Sequence, residues 1–413
     1  MSTTLNDYRE IVGPQVVDEL LLLADRVRHR RIQHVNSTAV GGGVAEILTR
    51  IVPLFRELGL ETTWDVIKGN QAFFEVTKSF HNALHGSKET ITEEMFEVYR
   101  ETTNTNLYDF SRTGDFVVVH DPQPAALISH KKETGGHWIW RCHIDVSSPQ
   151  PAVWNFLKPY IEQYDGSAFS MPEVSKRLSI PQFMVPPSID PLSDKNRELP
   201  NADVTKVLEK YGLDQERPIL TQISRFDRLK DPLGVIYAYR LIKRRYNCQL
   251  ILAGGGASDD PEGEQVLQEV REAAQNDPDI HILLLPPFSD LEINALVRGS
   301  TIVIQKSIKE GFGLTVTEAL WKGRPVIGGA VGGIKLQILN GVTGFLVHSP
   351  EGAANRAVEL LGNEQLRDSI GANGRQHVKE NFLTTRNVRD YLLMILAMEH
   401  RDKDISLLTS PRR

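Results

Sequence analysis

Residues Ser300 to Gly333 constrain this chain more than any other stretch. Ser300-Thr301-Ile302-Val303-Ile304 is a β-branched run that reads as a buried strand. The glycines of Glu310-Gly311-Phe312-Gly313 then turn the chain with little bulk in the way. Leu314 to Lys322 places Leu314, Val316, Ala319 and Leu320 as a helix packed on a sheet would. Gly323-Arg324-Pro325 stops that helix, and Val326-Ile327 opens another strand. A strand, a glycine turn and a helix N-terminus together form an anion site, because the N–H groups of the first helical turn lack helical partners. Glu310 and Glu318 flank it, and carboxylates beside a phosphate site suit sugar or ribose hydroxyls. Each element alone fits an ordinary βαβ crossover with solvated acids. The combined spacing is more specific.

The rest of the chain repeats this alternation. The first strand, Ile32 to Asn36, is followed by a loop ending Val40-Gly41-Gly42-Gly43 and a helix from Val44 to Leu58. This is a second candidate phosphate cradle. Glu46 stands where a third fingerprint glycine belongs, so a dinucleotide fold is not indicated. Strands are expected at Glu61 to Ile67, Phe116 to His120, Trp138 to Arg141, Gly166 to Ser170 and Phe183 to Pro187. In the second half they are expected at Pro218 to Ser224, Gln249 to Ala253, Ile280 to Leu285, Thr301 to Gln305, Pro325 to Gly328 and Gly344 to Val347. Regular βα alternation argues for parallel, doubly wound sheets. Helices from about Pro350 to Met398 close the chain before a polar tail. Ser188 to Leu199, rich in Pro, Asp and Asn, reads as the linker.

At 413 residues the chain exceeds one ordinary core and suggests two domains of about 200 residues. The net charge of −6 gives no basic footprint for nucleic acid. The two cysteines, Cys142 and Cys248, show neither metal spacing nor a disulfide framework, which suits a reducing compartment. No signal-peptide pattern opens the chain and no apolar run spans a bilayer, so a cytoplasmic protein without membrane partners is expected.

In open α/β sheets ligands collect beyond the carboxyl ends of strands. His120, Asp121 and His143 fall at two such ends and are expected in one cleft. His81 and His85 sit four apart, but no third ligand lies near and the metalloprotease Glu is missing, so a polar pocket wall fits better than zinc. Arg225 and Lys230 lie five apart in a loop at a strand end. Arg can bind phosphate bidentately and Lys as a point charge, although solvated surface charges are the commoner fate of both.

The spacing Glu310-x7-Glu318 resembles the signature of retaining nucleotide-sugar glycosyltransferases of the glycogen synthase and sucrose synthase type. Arg225-x4-Lys230 matches their upstream element. The second half as a whole is similar to family-four retaining glycosyltransferases. Ser79 to Gly86, His120-Asp121-Pro122-Gln123-Pro124 and Trp138 to Asp145 look like the trehalose glycosyltransferring synthases, and related trehalose phosphorylases carry similar segments. The resemblance spans nearly the whole chain. It implies a B-type fold: two Rossmann-like doubly wound α/β domains facing a deep cleft. The expected division is an acceptor-binding domain at 1–190, a nucleotide-sugar domain at 191–380, and a C-terminal helix and tail at 381–413 packing back on the first domain.

By position, the resemblance gives Arg225 and Lys230 the donor diphosphate, Glu318 the ribose and Glu310 the donor glucose hydroxyls, with His143 near the reacting carbon. Gly42, Gly43, Gly311, Phe312, Gly313, Leu314 and Thr315 complete the donor site, and Asn82, Asp121, Gln123 and His143 face the acceptor. Lys335 stands where many relatives carry a glutamate, which puts the role of that position in doubt. The implied activity is transfer of glucose from UDP-, ADP- or GDP-glucose to free glucose, giving α,α-trehalose with retention, in the synthetic direction or reversibly. Phosphorolysis of trehalose is the alternative. No catalytic metal is expected, since cationic side chains do its work; Mg2+ is left a stimulant's role and a homodimer is left open. Two carboxylates eight residues apart on a helix would stand about 12 Å apart, against roughly 5 Å in a retaining hydrolase. A dehydrogenase is poorly supported, because Asp259 replaces the last fingerprint glycine after Gly254-Gly255-Gly256. A non-catalytic sugar-binding module would not need both the Arg-Lys and Glu-Glu sets.

Overall fold

A computed structural model describes residues 4–39, 42–109, 114–255 and 261–400. The tail after His400, Val40, Gly41, Gly256 and Asp259 lie outside the described residues. The chain forms two compact units, 1–188 with 384–413, and 189–383. The divisions fall after Ser188 and Leu383, where the sequence suggested 190 and 380.

The first unit holds β1 (Arg31–Asn36), β2 (Glu61–Val66), β3 (Phe116–His120), β4 (His137–Arg141), β5 (Gly166–Phe169) and β6 (Gln182–Met184). They form one parallel sheet in the order β2-β1-β3-β4-β5-β6. β3 is buried at every position, as a central strand covered on both faces must be, and its Phe-Val-Val-Val run shows this without alternation. The Thr384–Glu399 helix belongs to this unit. Arg389 Nε meets Glu19 Oε1 at 2.7 Å, and Tyr391 sets its ring edge-on to Phe55 and His34.

The second unit holds β7 (Ile219–Ile223), β8 (Gln249–Gly255), β9 (Ile280–Leu285), β10 (Ile302–Gln305), β11 (Val326–Gly329) and β12 (Phe345–Val347). All pair in parallel, in the order β12-β11-β10-β7-β8-β9. Strand order reverses between β7 and β10 here, and between β1 and β3 in the first unit. In doubly wound sheets these switch points are where ligands bind.

The stretch expected as a linker is not a loose tether. Asp190, Ser193 and Asn196 are buried within the second unit. Asp190 Oδ1 accepts the Leu192 N–H, and Asn196 Oδ1 accepts from Lys322 Nζ at 2.9 Å. Pro, Asp and Asn mark turns correctly, but turns that bury their polar groups against partners belong to a domain.

Candidate active site

In the second unit the switch point carries the residues the spacing singled out. The loop after β7 brings Lys230 to the loop after β10, where its Nζ lies 2.5 Å from Glu310 Oε2. Ser307 Oγ donates to the same oxygen at 3.3 Å, and Gln222 Nε2 fixes the Lys230 carbonyl at 2.8 Å. Arg225 keeps its side chain 69% exposed, with Asp227 Oδ2 at 3.8 Å, and so has reach to spare for an anion.

Gly313 caps the Leu314–Trp321 helix at φ +85°, a left-handed conformation that a Cβ would strain. Gly333 N–H donates to Gly311 O at 3.1 Å, and a Cβ on Gly332 would fall 1.6 Å from Glu310 O. Two glycine loops therefore interlock in front of the helix N-terminus. Gln337 ties them down: its Nε2 donates to Phe312 O at 2.6 Å while Thr317 Oγ1 donates to its Oε1 at 2.6 Å. Lys335 of the same turn is exposed, so the inward polar residue of that turn is Gln337.

Two assignments change in character. The Phe312 side chain is buried, its ring 5.7 Å from that of Phe382, so this residue can offer a ligand its backbone only. Glu318 is 1% exposed, with Lys195 Nζ 3.4 Å from Oε1, and that oxygen accepts no hydrogen bond. Lys195 was missed because it lies in the stretch read as linker. Leu314 and Thr315 are half-buried in the first turn of the helix. Lys322, one turn beyond Glu318, is pushed down to about 7 by burial.

The first unit answers with histidines. His120 ends β3, and its Nδ1 is 2.9 Å from His143 Nε2; its own Nε2 is 3.0 Å from His34 Nδ1. Burial pushes all three rings down, His34 to about 3. Asp121, at φ 63°, accepts the His143 backbone N–H at 2.7 Å through Oδ1. Burial raises it to about 6, against the pull of that N–H and of Arg141. Its carboxylate organises the loop as much as it faces any acceptor. Gln123 Oε1 is buried without a hydrogen-bond partner. Asn82 lies near the end of the Gln71–Leu84 helix, where His81 and His85 stand ring to ring at 4.7 Å. Gly42 and Gly43 open the Gly42–Glu57 helix, two residues before the expected start.

His34 was not singled out from sequence, because only the strand register gives it its place. β1 and β3 pair His34 with Val118, and β3 and β4 pair His120 with Arg141. Parallel partners share a face and the period is two, so His34, His120 and Arg141 lie on one face, and His143 follows two residues past the end of β4.

A glycosyltransferase of the B-type fold is the class that these two sheets and the β7–β10 site define. The chain matches the family described as "Trehalose synthase, N-terminal domain" over residues 34–176 and "Glycosyl transferases group 1" over residues 203–377. It is 46% identical to a trehalose synthase of Thermococcus litoralis over 94% of this chain and 95% of that one. It is 29% identical to a trehalose phosphorylase of Grifola frondosa over 98% of this chain and 62% of that one. Among solved structures, sucrose-phosphate synthase from Thermosynechococcus elongatus superposes with a TM-score of 0.69 at 16% identity, covering 90% of this chain and 100% of that one. An E. coli trehalose-6-phosphate protein bound with UDP-2-fluoro glucose gives 0.71 at 13% identity, covering 91% and 99%. The chain belongs to the trehalose synthase family of glycosyltransferases.

Proposed function

We propose that the protein transfers glucose, with retention, between a nucleoside diphosphate and the anomeric hydroxyl of free glucose, making or cleaving α,α-trehalose. The observation that carries this reading is the Lys230–Glu310 pair at the β7–β10 switch point, beside exposed Arg225 and the N-terminus of the Leu314–Trp321 helix. A cation, a sugar-binding carboxylate and a helix dipole in one place suit a diphosphate joined to a glucose. Breaking the glycosidic bond leaves negative charge on the diphosphate. Lys230, Arg225 and the helix N–H groups stabilise that charge electrostatically, the term that often dominates catalysis. Attack from the same face, with the departing phosphate oxygen accepting the acceptor's proton, keeps the donor's α configuration and needs no protein nucleophile. Glu318 holds the ribose in this scheme, and His143, Asp121, Gln123 and Asn82 face the acceptor.

The 46% identity to a trehalose synthase, against 29% to the phosphorylase relative, supports a synthase over a phosphorylase. The test incubates the purified protein with α,α-trehalose and, in separate tubes, phosphate, UDP, ADP or GDP. Nucleoside diphosphate glucose formed only with nucleotide is the expected result, and the tubes rank the bases. Glucose 1-phosphate formed only with phosphate would make the protein a phosphorylase and remove the ribose role of Glu318.

A further inference from the structure

The first unit's switch point sets three imidazoles in series. His34, 0% exposed on β1, meets His120, 1% exposed at the end of β3, and His120 meets half-buried His143 after β4. Only His143 can touch a ligand. The other two serve no purpose that an apolar pair would not serve at lower desolvation cost, unless they act on His143.

Counting protons shows what they do. Burial holds all three rings neutral, and at His120 and His143 the neighbouring imidazoles and the Arg141 charge add to it. Three neutral imidazoles carry three ring protons. Each of the two nitrogen–nitrogen hydrogen bonds uses one, so the third must sit at an end of the series, on His34 Nε2 or on His143 Nδ1. His34 Nε2 is buried with no hydrogen-bond partner, its ring packed against Phe55 and edge-on to Tyr391. A buried orphan N–H is rarer and worse tolerated than an under-used acceptor. The third proton therefore belongs on His143 Nδ1, at the end of the series that solvent and ligands reach. The direction is then fixed throughout: His34 Nδ1–H donates to His120 Nε2, and His120 Nδ1–H donates to His143 Nε2.

We propose that His34 and His120 are positioning residues that lock His143 in the tautomer with its proton on Nδ1, so that it presents a hydrogen-bond donor, and not a base, to an oxygen of a bound sugar. The sugar as occupant rests on the function proposed above; the tautomer does not. An isolated neutral histidine prefers its proton on Nε2, so the series imposes the minority form. A donor aimed at a sugar oxygen also leaves the departing phosphate as the acceptor for the incoming hydroxyl's proton.

The test reads nitrogen chemical shifts of His143 in the 15N-histidine-labelled protein without substrate, which separates it from any failure of the trehalose assay. The expected result is a protonated-type signal at Nδ1 and an unprotonated type at Nε2. His120→Leu removes the donor, and His143 is expected to lose the Nδ1 protonated-type signal and gain it at Nε2. His120→Asn, whose amide N–H stands in for Nδ1–H, is expected to keep the wild-type pattern. In turnover, His120→Leu is expected to lower kcat by about 10- to 100-fold, by analogy with loss of the outer partner of a metal-ligating histidine, and His120→Asn to recover most of it. A wild-type signal with the proton on Nε2 would overturn the proposal by itself, as would an unchanged tautomer in folded His120→Leu. Should His120→Leu fail to fold, the wild-type signal still decides, since a proton on His143 Nε2 contradicts the series and one on Nδ1 is what it requires.

Discussion

The two units share one architecture and treat their switch points in opposite ways. At β7–β10 the residues are charged and within reach of solvent: Lys230 against Glu310, with Arg225 mostly exposed beside them. At β1–β3 the corresponding place is a neutral histidine series whose inner end, His34, is sealed under Phe55 and Tyr391. Fixed positive charge is what a diphosphate requires, and directed neutral hydrogen bonds are what a sugar hydroxyl requires. On the proposed function, the same scaffold would carry two kinds of recognition, set by a few side chains at strand ends.

The comparison is most easily broken at the charged site. Lys230→Ala removes the cation beside the departing phosphate and should cut turnover about 100- to 1,000-fold, with a melting temperature close to wild type, as steady-state kinetics and calorimetry would check. Arg225→Ala should act in the same direction and disturb folding less, because the side chain is exposed. Near-normal turnover in either variant would remove the electrostatic assignment. Next in size is Phe312→Ala. Truncating a buried ring costs about 3 kcal/mol or more, so denaturant unfolding of the second unit should shift strongly; an unchanged midpoint would return Phe312 to the ligand surface.

Acid separates the units. The usual value of His34 is 6.5 and its folded value about 3, and His120 and His143 are also lowered. Below pH 6.5 the unfolded chain takes up protons that the folded chain refuses. Stability from these groups is therefore complete above pH 6.5 and falls as pH drops, by about 1.4 kcal/mol per pH unit per histidine. Asp121, raised from 3.8 to about 6, runs the other way: its contribution is complete below 3.8 and is lost as pH rises through 6, so it offsets part of one histidine in that window. Unfolding curves from pH 7 to 5 should show the first unit weakening first, and His34→Phe should flatten the slope. Last comes Lys322, lowered from 10.5 to about 7 by burial. The unfolded chain holds this proton up to pH 10.5 while the folded chain gives it up near 7, so stability gains as pH rises between the two. Lys322→Met should remove that gain, leaving the unfolding free energy flatter between pH 7 and 9 than in the wild type.

Much of this was legible in the sequence, and the reason is local. Strand, glycine turn and helix repeat within about thirty residues, so period and punctuation place β10, the Gly313 turn and the Leu314–Trp321 helix together. Arg225, Lys230 and Glu310 stand at predicted strand ends, where function is expected. Residues whose meaning depends on distant partners were less visible. His34 acquires a role only once the β1–β3 register puts it on the face of His120. Lys195 lies in a polar stretch that resembles a linker until the fold buries it beside Glu318. Gln337 hides behind Lys335, which occupies the position where a glutamate was sought, and only burial shows which of the two faces inward. Phe312 sits inside the glycine turn that the sequence assigned to the donor, while its ring serves the core.

The most direct test of the division between the units is calorimetric titration of the nucleoside diphosphate that the product assay ranks first into wild type, Lys230→Ala and His120→Leu. A charged donor site in the second unit and a neutral sugar site in the first predict that Lys230→Ala weakens binding at least about 10-fold, as loss of a charge-assisted hydrogen bond would. They predict that His120→Leu leaves nucleotide affinity at the wild-type value. Equal weakening in both variants, or undiminished binding in Lys230→Ala, would contradict that division.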